Sequence, residues 1–317
     1  MQFKKNVSYW RDIQNLSPAE AAALIYADEL DILVDLAGHT NHSGLPVMAY
    51  KPAPIQISGI GWMNSTGLSA IDYFLTDINV DSPGVNDEFF TEKLIRLPHS
   101  HFCYEPFVSI KPVVKPAPFI RKGYITFGSF NRFAKLTDET LAMWSKILNM
   151  VPNARLVLRS HNFDIPLVRE SAVEKFRQAG IDINRVQLKG FVVDYFSAYE
   201  EIDIALDTFP YPGGGTTCDA LYAGVPVVSL AGSSHNSRFG YSILKNIGFQ
   251  ELCDFMPTEY IRICVELAQE HELLNQLHFI LQKHMLESPI MNKALYMHDL
   301  KECYCNVISD KWEVRIK

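Results

Sequence analysis

Long apolar runs are absent from this sequence of 317 residues. None reaches the roughly 20 residues that a membrane-spanning helix needs, and no apolar segment follows the basic N-terminus as in a secretory signal. An excess of positive charge is absent too. The chain has 29 Lys and Arg against 36 Asp and Glu, a formal net charge of −7, which argues against a general nucleic-acid-binding surface.

Cysteine is scarce, and its spacing excludes the common metal motifs. No CxxC pair, HExxH helix or Asp-x-Asp motif occurs, so we expect no metal cofactor, and the absence of GxSxG excludes a nucleophile elbow. We therefore expect reduced thiols in a cytoplasmic protein. The six cysteines are Cys103, Cys218, Cys253, Cys264, Cys303 and Cys305.

The remaining composition is that of a globular protein, with 48% hydrophobic and 21% charged residues. Its length suggests two domains of roughly 150 residues each. Four prolines in the segment 106–122, PFVSIKPVVKPAPFIRK, remove backbone donors and favour extended chain. We predict a linker there with solvated basic side chains, between a domain at 1–105 and a second at 123–317.

The hydrophobic pattern predicts an α/β fold. Ser17, Pro18 and Glu20 form the signature of a helix start, and the apolar run DILVDLAG that follows is typical of a buried parallel strand. Strands and helices then alternate, which predicts parallel sheets covered by helices. The other predicted strands are PIQISGIG, IDYFLTD, 123–128, 154–159, 185–190, 203–206 and 225–230; the other helices are 137–150, 166–179 and a tail over 258–308 that breaks at 288–289.

The most informative stretch is 206–232, LDTFPYPGGGTTCDALYAGVPVVSLAG. A strand ends, a loop with glycines at 213–215 follows, and a helix starts at Thr216 and Thr217. Free amides and hydroxyls at a helix start suit a phosphate or diphosphate, and Asp219 could accept hydrogen bonds from a ribose. The alternative is a tight turn in which Asp219 only complements the helix dipole. The residues alone leave both interpretations open.

A second strand end, ITFGSFNRFAKLT at 125–137, carries Asn131, Arg132 and Lys135. Ligands of open parallel sheets bind beyond the carboxyl ends of the strands, so both loops can face one crevice. Lys135 could then neutralise a leaving diphosphate, while Asn131 and Arg132 contact a base or phosphate. The alternative is a solvated surface lysine.

Two further loops carry candidate residues. Residues 233–248 place His235 and Arg238 between a strand and a helix, where they could reach the same crevice or simply cap the helix. His39 and His42 lie in AGHTNHSG, after the first strand, where a histidine could transfer protons.

Four segments in order closely resemble the catalytic region of the O-linked N-acetylglucosamine transferases and their SPINDLY-like relatives. They are DILVDLAGHT, KPAPIQISGIGWMNSTGLSAIDYFLTD, FGSFNRFAKLT and LDTFPYPGGGTTCDALYAGVPVV. The likeness runs from about residue 8 to about 312 and includes SPIMNKALYMHDLKECY. It implies the GT-B architecture, here two Rossmann-like domains, the N-terminal one incomplete, with a helical C-terminal tail.

The resemblance also implies a function: metal-independent, inverting transfer of a sugar from a nucleotide sugar, UDP-GlcNAc by expectation, to Ser or Thr of protein acceptors. GDP-fucose as the donor, an N-glycosylating or non-protein-directed enzyme, and a fragment that binds nucleotide sugar without turnover are the alternatives. By resemblance, Lys135 neutralises the diphosphate, with Asn131 and Arg132 in the adjoining nucleotide loop. Thr216 and its neighbours Gly214, Gly215 and Thr217 bind the diphosphate, Asp219 binds the ribose, and Gly61 lies near the sugar.

Departures from the family pattern weaken the expectation of UDP over another nucleotide. Gly214 replaces a histidine of the animal enzymes, and their basic residues fall around Val192, Tyr195 and Ala198. The turn WMNSTG replaces the more usual YPGTSG. An upstream strand and Asp/His-Pro loop and the TPR repeats have no counterpart, so we expect a fragment of a larger enzyme that self-associates or needs a missing N-terminal segment.

Overall fold

The computed structural model describes residues 3–61, 64–107 and 111–316, with the side chains of residue 3 and of 312–316 left aside. Two positions of the predicted WMNSTG turn and three of the predicted linker lie outside the described residues. The chain divides into two compact units. Unit 1 comprises Met1–Thr76, Pro83–Leu97 and Lys301–Lys317, and unit 2 comprises Asp77–Ser82 and Pro98–Leu300.

Unit 1 is built on a four-stranded sheet in the order β1-β2-β3-β4, and the β1–β2 and β2–β3 pairs are parallel. The helix α1 begins as its sequence predicts. The Ser17 hydroxyl accepts from the Glu20 amide, and the Glu20 carboxylate accepts from the Ser17 amide at 2.9 Å. The elements, in chain order, are α1 (Pro18–Ala27), β1 (Ile32–Asp35), α2 (Leu45–Met48), β2 (Ile55–Gly59), β3 (Tyr73–Asp77) and β4 (Lys93–Leu97).

Unit 2 alternates helices with six strands in the order β10-β9-β8-β5-β6-β7, each pair parallel. Its elements are α3 (Phe119–Lys122), β5 (Thr126–Ser129), α4 (Asp138–Met150), β6 (Arg155–Arg159), α5 (Pro166–Gln178), β7 (Val186–Lys189), α6 (Tyr195–Tyr199), β8 (Ile204–Leu206), α7 (Gly215–Tyr222), β9 (Val227–Leu230), α8 (Phe239–Asn246), β10 (Cys253–Asp254), α9 (Pro257–Gln269), α10 (His271–Glu287) and the first part of α11 (Lys293–Ile316), up to Leu300.

The strand order of unit 2 reverses between β5 and β8. The chain adds β6 and β7 on one side of β5, then returns to add β8, β9 and β10 on the other. This is the doubly wound order of dinucleotide-binding folds, and ligands bind in the crevice that opens where the order reverses. The loops after β5 and β8 leave the sheet at that crevice.

The core of unit 2 lies between the sheet and its helices. Phe127 on β5 and Ile204 on β8 are fully buried. Trp144 on α4 is also sealed and donates from Nε1 to the Tyr260 hydroxyl of α9 at 3.0 Å, so its one polar atom is satisfied. Truncation of such a side chain to alanine typically costs about 3–5 kcal/mol.

The structure confirms the α/β class and the predicted strands, but it also contains two short strands and three short helices, α2, α3 and α6, that the sequence analysis did not predict. The helical tail has a second break, at Glu270, besides the predicted one at 288–289. The sequence analysis missed β4, whose five residues include two basic side chains, and β10, which has only two residues. Both are too short or too mixed for a clear period. Of the helices in the described part of the chain, none is both long and apolar enough to cross a membrane.

The proline-rich segment differs from the predicted linker. Its described residues belong to unit 2, and 119–122 form α3. Side chains of α10 hold it: the Gln282 amide donates to the Pro112 carbonyl at 2.9 Å, and the Ala117 amide donates to Asn275 at 3.1 Å. Proline has no backbone amide to donate to a sheet, and here two side chains of α10 satisfy one carbonyl and one amide of the segment. The end of α11, from Lys301, groups with unit 1 instead of the predicted C-terminal domain.

Candidate functional site

Three of the predicted residues come together where the strand order of unit 2 reverses. Asn131 and Lys135 lie on the loop after β5, and Thr216 lies in the first turn of α7. The Thr216 hydroxyl donates to Asn131 Oδ1 at 3.0 Å, and Lys135 Nζ lies 3.5 Å from the same oxygen. We call Asn131, Lys135 and Thr216 the switch-point cluster.

Lys135 is the cation of this cluster. Its Nζ donates to the Pro212 carbonyl at 2.7 Å and lies 3.8 Å from the centre of the Tyr211 ring. Burial lowers the pKa of Lys135 to about 8; the carboxylate of Asp207 opposes this shift and Arg132 adds to it. Lys135 is therefore mostly charged at neutral pH and only partly hydrated, which strengthens its attraction for an anion.

Asp207, which the sequence analysis did not assign, organises the loop after β8. This buried carboxylate accepts from the amides of Gly213 at 2.7 Å and Thr208 at 2.9 Å, and from the Ser229 hydroxyl at 3.0 Å. Asn131 donates to it at 3.3 Å. Burial raises the pKa of Asp207, and the amide of Gly213 and the charge of Lys135 oppose that shift. An acid directly after a buried strand and before a glycine loop is the signal that could have revealed it.

The three glycines of the loop have different roles. A Cβ on Gly213 would lie 2.4 Å from the Thr217 hydroxyl and 2.5 Å from that of Thr216, so the loop packs against its own helix start. On Gly214 it would lie 3.1 Å from the Phe102 ring, whereas Gly215 faces open space. The requirement for glycine is therefore strictest at 213, and its cause is the packing of the two threonines.

The start of α7 supplies free amides next to the switch-point cluster. The first intrahelical bond runs from the Cys218 amide to the Gly214 carbonyl at 3.0 Å, so the amides of residues 215–217 lie before the hydrogen-bonded turns. Thr217 is buried and Thr216 half-buried. Amides of this kind, together with a lysine and a hydroxyl, form an arrangement that binds phosphate groups.

Asp219 lies one turn into α7 and contacts two tyrosines. Its Oδ1 accepts from the hydroxyls of Tyr104 at 2.5 Å and Tyr195 at 3.2 Å. Burial raises the pKa of Asp219, while both tyrosine hydroxyls oppose the shift. A sugar hydroxyl at Asp219 would join or replace these donors. No sequence pattern predicts these contacts, because Tyr104 lies 115 positions from Asp219 and Tyr195 lies 24 positions from it.

Among the described contacts, neither the Arg132 nor the Arg238 side chain makes a hydrogen bond to the switch-point cluster, although the charge of Arg132 acts on Lys135. Arg132 is exposed on the loop after β5. Arg238 Nη2 donates to the Asn79 carbonyl at 3.2 Å, and its guanidinium lies 5.1 Å from the Phe255 ring. His235, in the same turn, pairs with Asp81 at 2.5 Å. Their predicted roles stay predictions.

The unit 1 candidates lie close to one another. His39 Nε2 lies 3.0 Å from the Ser65 carbonyl. A Cβ on Gly61 would lie 2.3 Å from the Ala37 carbonyl carbon, so the turn at Gly61 packs directly on the loop that carries His39. Among the residues whose positions are described, no cluster of three or more His, Cys, Asp or Glu could hold a metal ion.

Comparison with known proteins identifies the family. The sequence model of Glycosyl transferase family 41 matches residues 3–111 and 119–300. The chain belongs to this family. A SPINDLY protein of Hordeum vulgare, described as a probable UDP-N-acetylglucosamine–peptide N-acetylglucosaminyltransferase, is 40% identical over 311 residues, which cover 96% of this chain and 33% of the relative. The protein of the same description from Arabidopsis thaliana is 38% identical over 306 residues, with 96% and 33% covered.

A solved structure shows the same fold. An O-GlcNAc transferase mutant of Thermobaculum terrenum superimposes with a TM-score of 0.91 at 32% identity, covering 99% of this chain and 60% of that one. HepE of Anabaena, solved with UDP and glucose, matches with a TM-score of 0.56 at 12% identity, over 94% of this chain and 84% of that one, and shows the fold alone. These matches confirm the predicted GT-B class and the family resemblance. The chain spans about a third of the length of its plant relatives.

Proposed function

We propose that this chain is part of an inverting glycosyltransferase that transfers a sugar, GlcNAc from UDP-GlcNAc, to Ser or Thr hydroxyls of proteins. The switch-point cluster carries the proposal, because it joins a half-buried lysine, a threonine hydroxyl and a helix start at the position where doubly wound sheets bind nucleotides. The names of the plant relatives support both the reaction and the class of acceptor.

The cluster would act on the leaving group. Departure of the nucleoside diphosphate from the anomeric carbon leaves negative charge on its oxygens. Lys135 Nζ and the amides at 215–217 would stabilise that charge, while Asp219 would hold the ribose. Fixed donors of this kind commonly contribute 10²–10³-fold to a rate. We expect the reaction to need no divalent metal, so turnover in the presence of EDTA should equal turnover without it.

His39 is the candidate for proton transfer. The Ser65 carbonyl can only accept, so the hydrogen bond between them places the proton on Nε2 and leaves Nδ1 as the basic nitrogen. A base of this kind could accept the proton of the attacking hydroxyl. We expect His39→Ala to lower turnover while nucleotide affinity stays unchanged; a loss of affinity instead would remove His39 from this role.

A donor panel tests the proposed function. The chain is titrated with UDP, GDP, UDP-GlcNAc and GDP-fucose while its melting temperature is followed, because a ligand that binds only the folded state raises it. Lys135→Ala is compared with Lys146→Ala, a lysine exposed on α4. We expect shifts with UDP and UDP-GlcNAc that only Lys135→Ala abolishes. A shift with GDP-fucose alone would make the donor GDP-fucose, and no shift from a cooperatively melting protein would contradict an intact donor site.

A further inference from the structure

A second cavity in unit 2 lies at the opposite end of β8 from the switch-point cluster. Its volume is about 400 Å³, within the range of small-molecule sites. His278 of α10 lines it and donates from Nε2 to the carbonyl of Asp203, the residue directly before β8. The switch-point loop instead follows Leu206, at the carboxyl end of the strand. The two sites thus lie at opposite ends of β8, and Tyr199, which lines the cavity, donates to the Thr216 carbonyl at 3.2 Å.

The proline-rich segment 112–118 forms one side of this cavity, and hydrogen bonds to α10 hold it near both ends. Asn275, His278 and Gln282 lie at spacings of three and four residues on one face of α10. Gln282 holds the Pro112 carbonyl and Asn275 holds the Ala117 amide, with His278 between them. The segment 112–118 is thus attached to α10, the helix that provides His278. It also falls between the two parts of the chain that match the family, 3–111 and 119–300.

The walls are mainly apolar. Phe196, Tyr199 and Val225 are buried, and Ala223 and Val113 also line the cavity. Charged side chains among the lining residues are already partnered: Lys115 pairs with Glu200 at 2.6 Å, and Arg121 donates to the Glu200 carbonyl at 2.6 Å. These contacts favour a neutral, largely apolar molecule over an ion.

His278 gives the cavity a hydrogen-bond acceptor. A carbonyl can only accept, so Nε2 carries the proton and Nδ1 keeps its lone pair. Burial lowers the pKa of His278 to about 4, so the ring is neutral at physiological pH. Nδ1 has no hydrogen-bond partner among the described residues. It is also not one of the fully buried polar atoms that lack a partner, so part of its surface is accessible. It is therefore open to the cavity that His278 lines.

We propose that this cavity is a second ligand site, which takes a neutral aromatic or polycyclic molecule carrying one hydroxyl. The apolar walls would bury the ring system, and the hydroxyl would donate to His278 Nδ1. A hydroxyl is the matching group because an acceptor alone would leave Nδ1 without a partner, which costs free energy in a buried site. The site does not depend on the proposed glycosyl transfer.

A matched pair of probes tests the proposal. Binding of 2-naphthol and of 2-methoxynaphthalene, which lacks the donor, is measured by calorimetry without nucleotide. We expect 2-naphthol to bind roughly fivefold more tightly, the ratio that one net hydrogen bond typically provides. Absence of saturable 2-naphthol binding to folded protein, or equal affinity for both probes, would overturn the proposal. Nucleotide titration of the same sample keeps this result separate from failure of the donor site.

Two variants locate the binding. Ala223→Phe fills the cavity and should abolish 2-naphthol binding, whereas Ala142→Phe, on the exposed face of α4, should not change it. Should Ala223→Phe fail to fold, Val113→Glu provides a second test. Val113 is 70% exposed, so its replacement leaves the core intact, but it places a carboxylate on the apolar wall. Binding that survives Val113→Glu or a folded Ala223→Phe would contradict the assignment.

Discussion

The two ends of strand β8 carry two buried aspartates with different tasks. Asp207, at the carboxyl end, binds amides of a loop that presents donors to the crevice. Asp203, at the amino end, accepts from the amides of Phe119 at 2.6 Å and Thr126 at 2.7 Å and so attaches α3 to β5. Burial raises the pKa of both. The Asp207 carboxylate therefore orders a loop that faces the crevice, whereas the Asp203 carboxylate joins two elements of the scaffold.

The largest expected effect is on sugar transfer, and it comes from replacing Lys135, which lies beyond the carboxyl end of the sheet. We expect Lys135→Ala to lower sugar transfer by about 10²–10³-fold, because the leaving diphosphate loses its fixed cation. The free energy of unfolding should change little or rise, since burial of the charge is unfavourable. Steady-state kinetics and chemical denaturation measure the two effects. Turnover within threefold of the wild type would remove Lys135 from the mechanism.

At the amino end we expect Asp203 to make the free energy of unfolding depend on pH. Burial raises the pKa of Asp203 to about 6. Between its unfolded pKa near 4 and the folded value, the unfolded chain has lost this proton while the folded chain keeps it. The free energy of unfolding should therefore fall by about 2–3 kcal/mol as pH rises through that window.

Asp203→Asn should remove this pH-dependent part of the unfolding free energy. Denaturation of both proteins between pH 4 and 7 measures it, and UDP affinity at pH 7 serves as the control for the carboxyl end. Parallel pH profiles for the two proteins would contradict the assigned ionisation. A large loss of UDP affinity in Asp203→Asn would contradict the separation between the two ends of β8.

Two glycines of the loop after β8, Gly213 and Gly215, should differ in their tolerance of an added methyl group. We expect Gly213→Ala to cost about 1–3 kcal/mol, because the added methyl overlaps the hydroxyls of Thr216 and Thr217. Gly215→Ala meets open space and should change the free energy of unfolding by less than about 0.5 kcal/mol. Thermal denaturation of both variants measures the contrast. Equal costs would show that the loop is not packed as described.

The smallest effect concerns the pH dependence of nucleotide binding. With a pKa of about 8, Lys135 is mainly neutral at pH 9, so UDP should bind up to about tenfold more weakly there than at pH 7. Phosphate groups are already ionised across this range. Lys135→Arg stays charged and should show a flat profile in calorimetry. A wild-type profile equally flat would contradict the lowered pKa.

Much of the fold and part of the site follow from local sequence patterns. The capping box at Ser17 and the buried strand runs are encoded within a few residues, and so is the glycine loop before Thr216. Asn131 and Lys135 could be placed beside Thr216 because successive parallel strands present their carboxyl ends to one edge.

The remainder depends on contacts between distant residues. Tyr104 contacts Asp219 across 115 positions, and the Gln282 amide contacts Pro112 across 170. Hydrophobic periodicity in the sequence does not predict contacts between such distant residues. The proline-rich segment was predicted as an extended linker for the same reason: proline predicts extended backbone, but the side chains that bind it come from α10.

The most direct test of the central claim is amide hydrogen exchange of the chain with and without UDP. The account predicts that UDP slows exchange at residues 215–217, where the amides precede the hydrogen-bonded turns of α7, and in the loop that carries Asn131 and Lys135. Lys135→Ala should lose this protection at the same UDP concentration. Protection confined to other parts of the chain, with the start of α7 unchanged under saturating UDP, would contradict a nucleotide site at the switch-point cluster.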